Sequence, residues 1–175
     1  DQKQEILETL EALGKPPLIN TQIGPDDVAS MDKIKATCER LNEGYAVANA
    51  NGLTYAIHNH WWEFGTVNGR LVHDIMEDLL DPGVLFEIDT YWVKVGGSDP
   101  VKLIKKLGDR VPFLHVKDGP ATVEASMTAV GDGVMDIPAL LGAASPDVWK
   151  VVEMDRCDTD VMVALKKSYD YLAGL

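Results

Sequence analysis

Cysteine is scarce in this 175-residue chain, with only Cys38 and Cys157 present and far apart. They form no CxxC pair and no zinc-ribbon spacing, which removes disulfide scaffolds and thiolate zinc ribbons from consideration. Two free thiols point to a reducing compartment, the cytoplasm. Basic residues are outnumbered, 16 Lys and Arg against 28 Asp and Glu, for a formal net charge of −12. Such a surface repels phosphate backbones and argues against a nucleic-acid partner. No apolar run approaches a membrane span, and Asp1 to Leu13 does not read as a signal peptide, so no membrane partner is expected. What remains is 46% apolar and 25% charged residues, the composition of an ordinary globular domain with enough chain to bury one sizeable core.

Strand-like and helix-like stretches alternate throughout. Glu5 to Leu13 reads as a helix and Leu18 to Thr21 as a short strand. Met31 to Asn49 reads as a helix with Ile34, Cys38, Leu41 and Tyr45 on one face, stopped by Gly52. The spacing predicts a strand over Leu53 to His60, a helix over His73 to Leu80 closed by Asp81-Pro82-Gly83, and a strand over Val84 to Thr90. Ser98-Asp99-Pro100 starts a helix that carries Leu103, Ile104 and Leu107 and ends at Gly108. Val111 to Lys117 reads as a strand, Ile137 to Ala144 as a helix and Trp149 to Asp155 as a strand. The last helix runs from about Asp158 with Val161, Leu165, Ser168 and Leu172 on one face. Strand then helix, five times over, implies one domain, residues 1–175, with a parallel sheet and helices outside. A full (β/α)8 barrel needs about 250 residues and eight strands. Either the first three units are absent, or a partner or second copy completes the barrel, or the sheet stays open.

Alternate residues of a barrel strand face its interior. Keeping the apolar Leu53, Tyr55, Ile57, Phe86, Ile88, Leu114, Val116, Val152 and Met154 outward turns the other set inward. That set contains His58 and His60, then Glu87 and Asp89, then His115 and Lys117, then Glu153 and Asp155. Each strand thus ends in inward ionisable residues, at the end where barrel active sites are built. Any one of them alone is better explained as a core histidine, a helix cap or an ion-pair partner. Four strands with the same feature at one level favour a shared divalent cation, since buried charges need partners. Two carboxylates and one or two imidazoles suit Mn, Mg, Co, Zn or Fe. Glu87 lies deeper and is expected to pair with Lys117 or Arg110. His73, at a helix start, reads as structural. Trp61, Trp62 and Trp92 either wall a sugar pocket or cover loop hydrophobes.

The stretch Tyr55-Ala56-Ile57-His58-Asn59-His60-Trp61-Trp62-Glu63-Phe64 resembles the YHNHxxEF signature of sugar phosphate isomerase/epimerase-like proteins of the xylose isomerase-like TIM-barrel superfamily. Phe86 to Trp92 resembles that family's next segment, an Asp followed two residues later by an aromatic and a Trp. Leu114 to Asp118 is similar to its HxKD, Val130 to Asp136 to its GxGxxD loop, and Val151 to Asp155 to its last strand. The resemblance runs from about Met31 to the C-terminus and implies a TIM-type barrel of which this chain holds the C-terminal five βα units. It also implies a divalent metal at the mouth, with Asp89, His115 and Glu153 at ligand positions. His58 takes the place of a fourth ligand that is Glu in many relatives, with His60 as the alternative.

The expected chemistry is proton abstraction next to a carbonyl of a sugar or keto-sugar, phosphorylated or not. Glu153 serves as one base and His58 or His60 as the other, around a metal-stabilised enediolate. Lys117, Glu63, Trp92 and Trp61 are expected to bind substrate. The same site would support elimination from a keto-inositol or 3-keto-glycoside. Two rivals are a truncated barrel that only binds and, least favoured, an AP-endonuclease-like phosphodiesterase.

Overall fold

The computed structural model describes residues 2–175, with side chains from residue 3. Seven α-helices and seven strands follow in chain order among the described residues. These are α1 (Gln2–Ala12), β1 (Leu18–Asn20), α2 (Met31–Ala50), β2 (Tyr55–His58), β3 (Thr66–Val67), β4 (Arg70–Leu71) and α3 (Val72–Leu79). Then come β5 (Leu85–Asp89), α4 (Thr90–Val95), α5 (Pro100–Leu107), β6 (Phe113–Val116), α6 (Ile137–Ala143), β7 (Trp149–Val152) and α7 (Val161–Ala173).

Local chemistry explains the boundaries. Ser30 caps α2, its side chain accepting from Lys33 N, and Gly52 leaves that helix at φ +68°, a conformation open to glycine. Asp99 caps α5 ahead of Pro100. Ile34, Thr37, Cys38 and Leu41 form the buried stripe of α2, while Leu103, Ile104 and Leu107 form that of α5. These stripes cover one face of a five-stranded parallel sheet in the order β1-β2-β5-β6-β7. The sheet is therefore a half-barrel: each inner strand has two neighbours, and β1 and β7 have one each among the described residues. Phe86, Ile88 and Leu114 are buried in the core on the helix side, each stabilising by roughly 1.5–3 kcal/mol relative to exposure.

Four features differ from the sequence reading or were not in it. The strand expected to run to Thr90 ends at Asp89 and Thr90–Val95 form α4, because the Asp89 carboxylate caps it by accepting from Trp92 N at 3.0 Å. β3 and β4 make a small antiparallel hairpin with no counterpart in the sequence reading. The last strand stops at Val152, and beyond it the chain follows the 118–128 loop, Met127 N donating to Arg156 O. On α7 the buried residues are Ala164 and Ser168, and Val161 is exposed; Ser168 Oγ accepts from Val130 N and donates to Ala164 O, which fixes the helix rotation. No helix among the described residues is long and apolar enough to cross a membrane.

Candidate metal centre

Register brings the strand ends together. His58 pairs in the ladder with Glu87, Asp89 with His115, and His115 with Val151, two residues before Glu153. One ligand atom each from His58, Asp89, His115 and Glu153 lies within 4.8 Å of the others. His58 Nε2 is 2.9 Å from His115 Nδ1 and 3.4 Å from Asp89 Oδ2. His115 Nδ1 is 2.9 Å from Glu153 Oε2 and 3.7 Å from Asp89 Oδ2. Ligands on a tetrahedral ion with bonds of ~2.1 Å stand about 3.4 Å apart, so this donor set fits a small divalent cation. Asp89 Oδ2 is buried and faces the Lys117 ammonium and both imidazole rings, a position in which a bound cation would satisfy it.

Asp89 serves two purposes. Its Oδ1 caps α4 while Oδ2 faces the cluster. Asn59 fixes its backbone reciprocally, Asp89 N donating to Asn59 Oδ1 at 3.0 Å and Asn59 Nδ2 donating to Asp89 O at 3.2 Å. Thr90 Oγ1 donates to His115 O and ties β5 to β6. Glu87 pairs with His115 Nε2 at 3.3 Å rather than with Lys117 or Arg110, since Arg110 donates to Val84 O and lies over the Phe86 ring.

Lys117 is the cation at the centre of this cluster. Its side chain is 1% exposed, and Nζ lies 2.8 Å from Asp89 Oδ2, 2.7 Å from Glu153 Oε2 and 2.7 Å from Asp155 Oδ2. Burial would lower the Lys117 ammonium, but these carboxylates hold it above the ordinary lysine range. Burial would raise Asp89, yet hydrogen bonds from His115 and His58 and the Lys117 charge hold it well below the usual carboxylate range. Glu153 is pulled down to about 2, first by its hydrogen bond with His115 and then by Lys117, against the opposing effect of burial. Burial would lower His115, but Asp89 and Glu153 raise it to about 9. Glu87 is raised by burial.

The remaining expected site residues sort into two groups. His60 stands outside the four-residue set; its ring stacks on Trp62 at 4.2 Å and its backbone N donates to Glu63 Oε2 at 2.9 Å. Glu63 is 2% exposed and fixes the turn after β2, so it does not present its carboxylate to the cleft. Trp61 packs on Trp92 at 4.7 Å, and both line an open cleft of about 450 Å³ with His60, Val123, Glu124, Asp155 and Arg156. A larger cavity of about 540 Å³ lies at the β1 edge against α1 and α2, lined by Leu7, Leu18 and Tyr55 and by none of the strand-end ionisable residues. The smaller cleft is the one beside the chemistry.

Sequence reasoning passed over Asp118. Its carboxylate accepts from the backbone N of Gly119, Gly131, Gly133 and Met135, folding the long 119–135 loop against the end of β6. An Asp directly after a strand and a Gly-rich stretch thirteen residues on were the available signals.

A family model described as xylose isomerase-like TIM barrel matches residues 1–170. No curated protein matches the chain. Among solved structures, a sugar phosphate isomerase/epimerase from Parabacteroides distasonis ATCC 8503 superposes with a TM-score of 0.81 at 26% identity, over 99% of this chain and 66% of its own. A further sugar phosphate isomerase/epimerase from the same organism matches with a TM-score of 0.71 at 27% identity, over 81% of this chain and 52% of its own. A D-allulose 3-epimerase from Methylomonas sp. shares the fold, with a TM-score of 0.66 at 16% identity over 98% of this chain and 67% of its own. The chain therefore spans between half and two thirds of the sugar phosphate isomerase/epimerase structures that it resembles.

Proposed function

This chain belongs to the xylose isomerase-like TIM-barrel family, and from that premise we propose that it is one domain of a divalent-metal-dependent isomerase or epimerase of a sugar or keto-sugar. The observation that carries the reading is the convergence of donor atoms from four successive sheet strands, or the residue just past one, within 4.8 Å at the end where barrel active sites lie. Structures with sugar isomerase/epimerase names at 26% and 27% identity support the substrate class.

In this reading His58, Asp89, His115 and Glu153 would hold a divalent ion, which would supply Lewis acidity next to a substrate carbonyl. Glu153, 43% exposed, is the most exposed of the four residues and takes the proton from the carbon beside that carbonyl. The Lys117 ammonium, 2.7 Å from Glu153 Oε2, is placed to donate to a substrate oxygen, and by leaving Glu153 for that oxygen it makes the carboxylate more basic only in the loaded site. Asp155 anchors Lys117 during that exchange. His60, on the cleft wall, returns or removes the proton on the opposite side, and the Trp61 face, backed by the buried Trp92, packs on the sugar's C–H surface. The two free thiols accord with a reducing cytoplasm.

The test is metal content together with solvent exchange. The wild-type chain is expected to hold one tightly bound ion at the strand ends, lost in Asp89→Ala and in Glu153→Ala. It is also expected to move deuterium from solvent into a ketose carbon beside the carbonyl. Undiminished metal in both variants, or no exchange across ketoses, inososes and 3-keto-glucosides, would overturn the reading.

A further inference from the structure

A second polar cluster lies on α3, away from the strand ends. His73 is 4% exposed, its ring stacked on Phe64 at 5.4 Å and 13° and tilted against Phe86 at 5.4 Å. Both ring nitrogens are buried without a hydrogen-bond partner. A neutral imidazole always carries one N–H and one lone pair, and leaving such groups unsatisfied costs about 1–3 kcal/mol each. Between two phenylalanines, a third would pack as well without that cost. The nitrogen atoms therefore call for a partner that the protein does not supply.

The surroundings show what kind. His73 and Glu77 stand four residues apart on one helical face, the spacing that lets two side chains share one ion. A ring nitrogen of His73 and carboxylate oxygens of Asp74 and Glu77 lie within 4.8 Å of one another. Both carboxylates already hold a cation: Lys106 Nζ is 2.9 Å from Asp74 Oδ1 and 2.6 Å from Glu77 Oε2. Lys106 is 49% exposed and flexible enough to leave. Beside the cluster a surface cavity of about 190 Å³, lined by Phe64, His73, Asp74 and Lys106, gives an entry path and room for a water ligand.

We propose that His73, Asp74 and Glu77 form a second divalent-metal site that takes Zn²⁺ in preference to Mg²⁺, with Lys106 as the counter-cation that the ion displaces. One imidazole nitrogen and two carboxylate oxygens leave a fourth tetrahedral position for water, a donor set that zinc accepts and that the harder Mg²⁺ disfavours. The site ties α3 to its own buried ring and is independent of what happens at the strand ends.

The experiment uses the full chain carrying Asp89→Ala and Glu153→Ala, stripped with chelator and titrated with Zn²⁺ by calorimetry. One equivalent is expected to bind and to raise Tm. Adding Glu77→Gln or His73→Phe should weaken binding by at least about tenfold, and adding Lys106→Met should tighten it. A folded double variant that takes no zinc, or one whose affinity ignores all three further changes, overturns the proposal. If the double variant does not fold, wild type is compared with Glu77→Gln and His73→Phe, and the expected stoichiometry falls by one equivalent; an unchanged stoichiometry overturns it equally.

Discussion

Lys117 and Lys106 each neutralise a knot of carboxylates, yet they sit in opposite surroundings. Lys117 is 1% exposed and meets Asp89, Glu153 and Asp155, which arrive from two different βα units. Lys106 is 49% exposed and meets Asp74 and Glu77, which lie one helical turn apart on α3. At the strand ends the cluster exists only because the sheet brings distant residues into register. On α3 the carboxylates would be neighbours in any helix. The strand-end knot should be the costlier to break, because the Asp89 carboxylate is fully buried and has no water to turn to, whereas Asp74 and Lys106 on the α3 side are 40% and 49% exposed.

The sharpest way to break this comparison is to delete each ammonium in metal-free protein. Lys117→Met strands the fully buried Asp89 carboxylate and is expected to cost about 3–5 kcal/mol in urea unfolding, with part of the loss recovered when a divalent ion is added. A cost below that of an exposed pair would mean that the strand-end charges are solvated after all.

The next effect concerns acid and the α3 side. Burial is the chief cause that holds His73 down at about 4, against a reference of 6.5. The unfolded chain therefore binds a proton before the folded chain does, and stability present above pH 6.5 drains away as pH falls towards 4. The expected loss in chelator-treated protein is about 3 kcal/mol over that window, absent from His73→Phe. Equal acid sensitivity in both proteins would remove His73 as the cause.

Asp118 borders the strand ends without joining the charge knot, and Asp118→Asn weakens a carboxylate that accepts from four backbone N–H groups. About 2 kcal/mol should be lost, with faster proteolysis within the 119–135 loop. Smallest of all, Lys106→Met in metal-free protein should change stability by about 1 kcal/mol, since Asp74 is 40% exposed and can turn to water. A loss as large as that of Lys117→Met would erase the contrast between the two clusters.

Much of the fold was legible because helix stripes and caps are local. Asp99-Pro100, Gly52 and the spacing of Ile34, Cys38 and Leu41 mark their elements within a few residues. α4 was not legible: Thr90-Tyr91-Trp92-Val93 has the composition of a strand, and only the Asp89 cap together with burial of all four residues makes it a helix. The inward alternation of His58, Asp89 and His115 could be read from the pattern of each strand. The pairing of Glu87 with His115, and the descent of Lys117 into the carboxylates, could not.

Taken alone, the order of residues determined the alternation of strand and helix, the helix boundaries, and the set of ionisable side chains sharing one face of the sheet. These follow from spacing and from hydrogen bonds that reach four residues or fewer. Tertiary structure alone decided which atoms meet: Asp89 Oδ1 on α4 and Oδ2 at the centre, Lys117 among three carboxylates, and His73 sealed between Phe64 and Phe86. Interatomic distances of a few ångströms between residues tens of positions apart depend on strand register and packing, which no local pattern encodes.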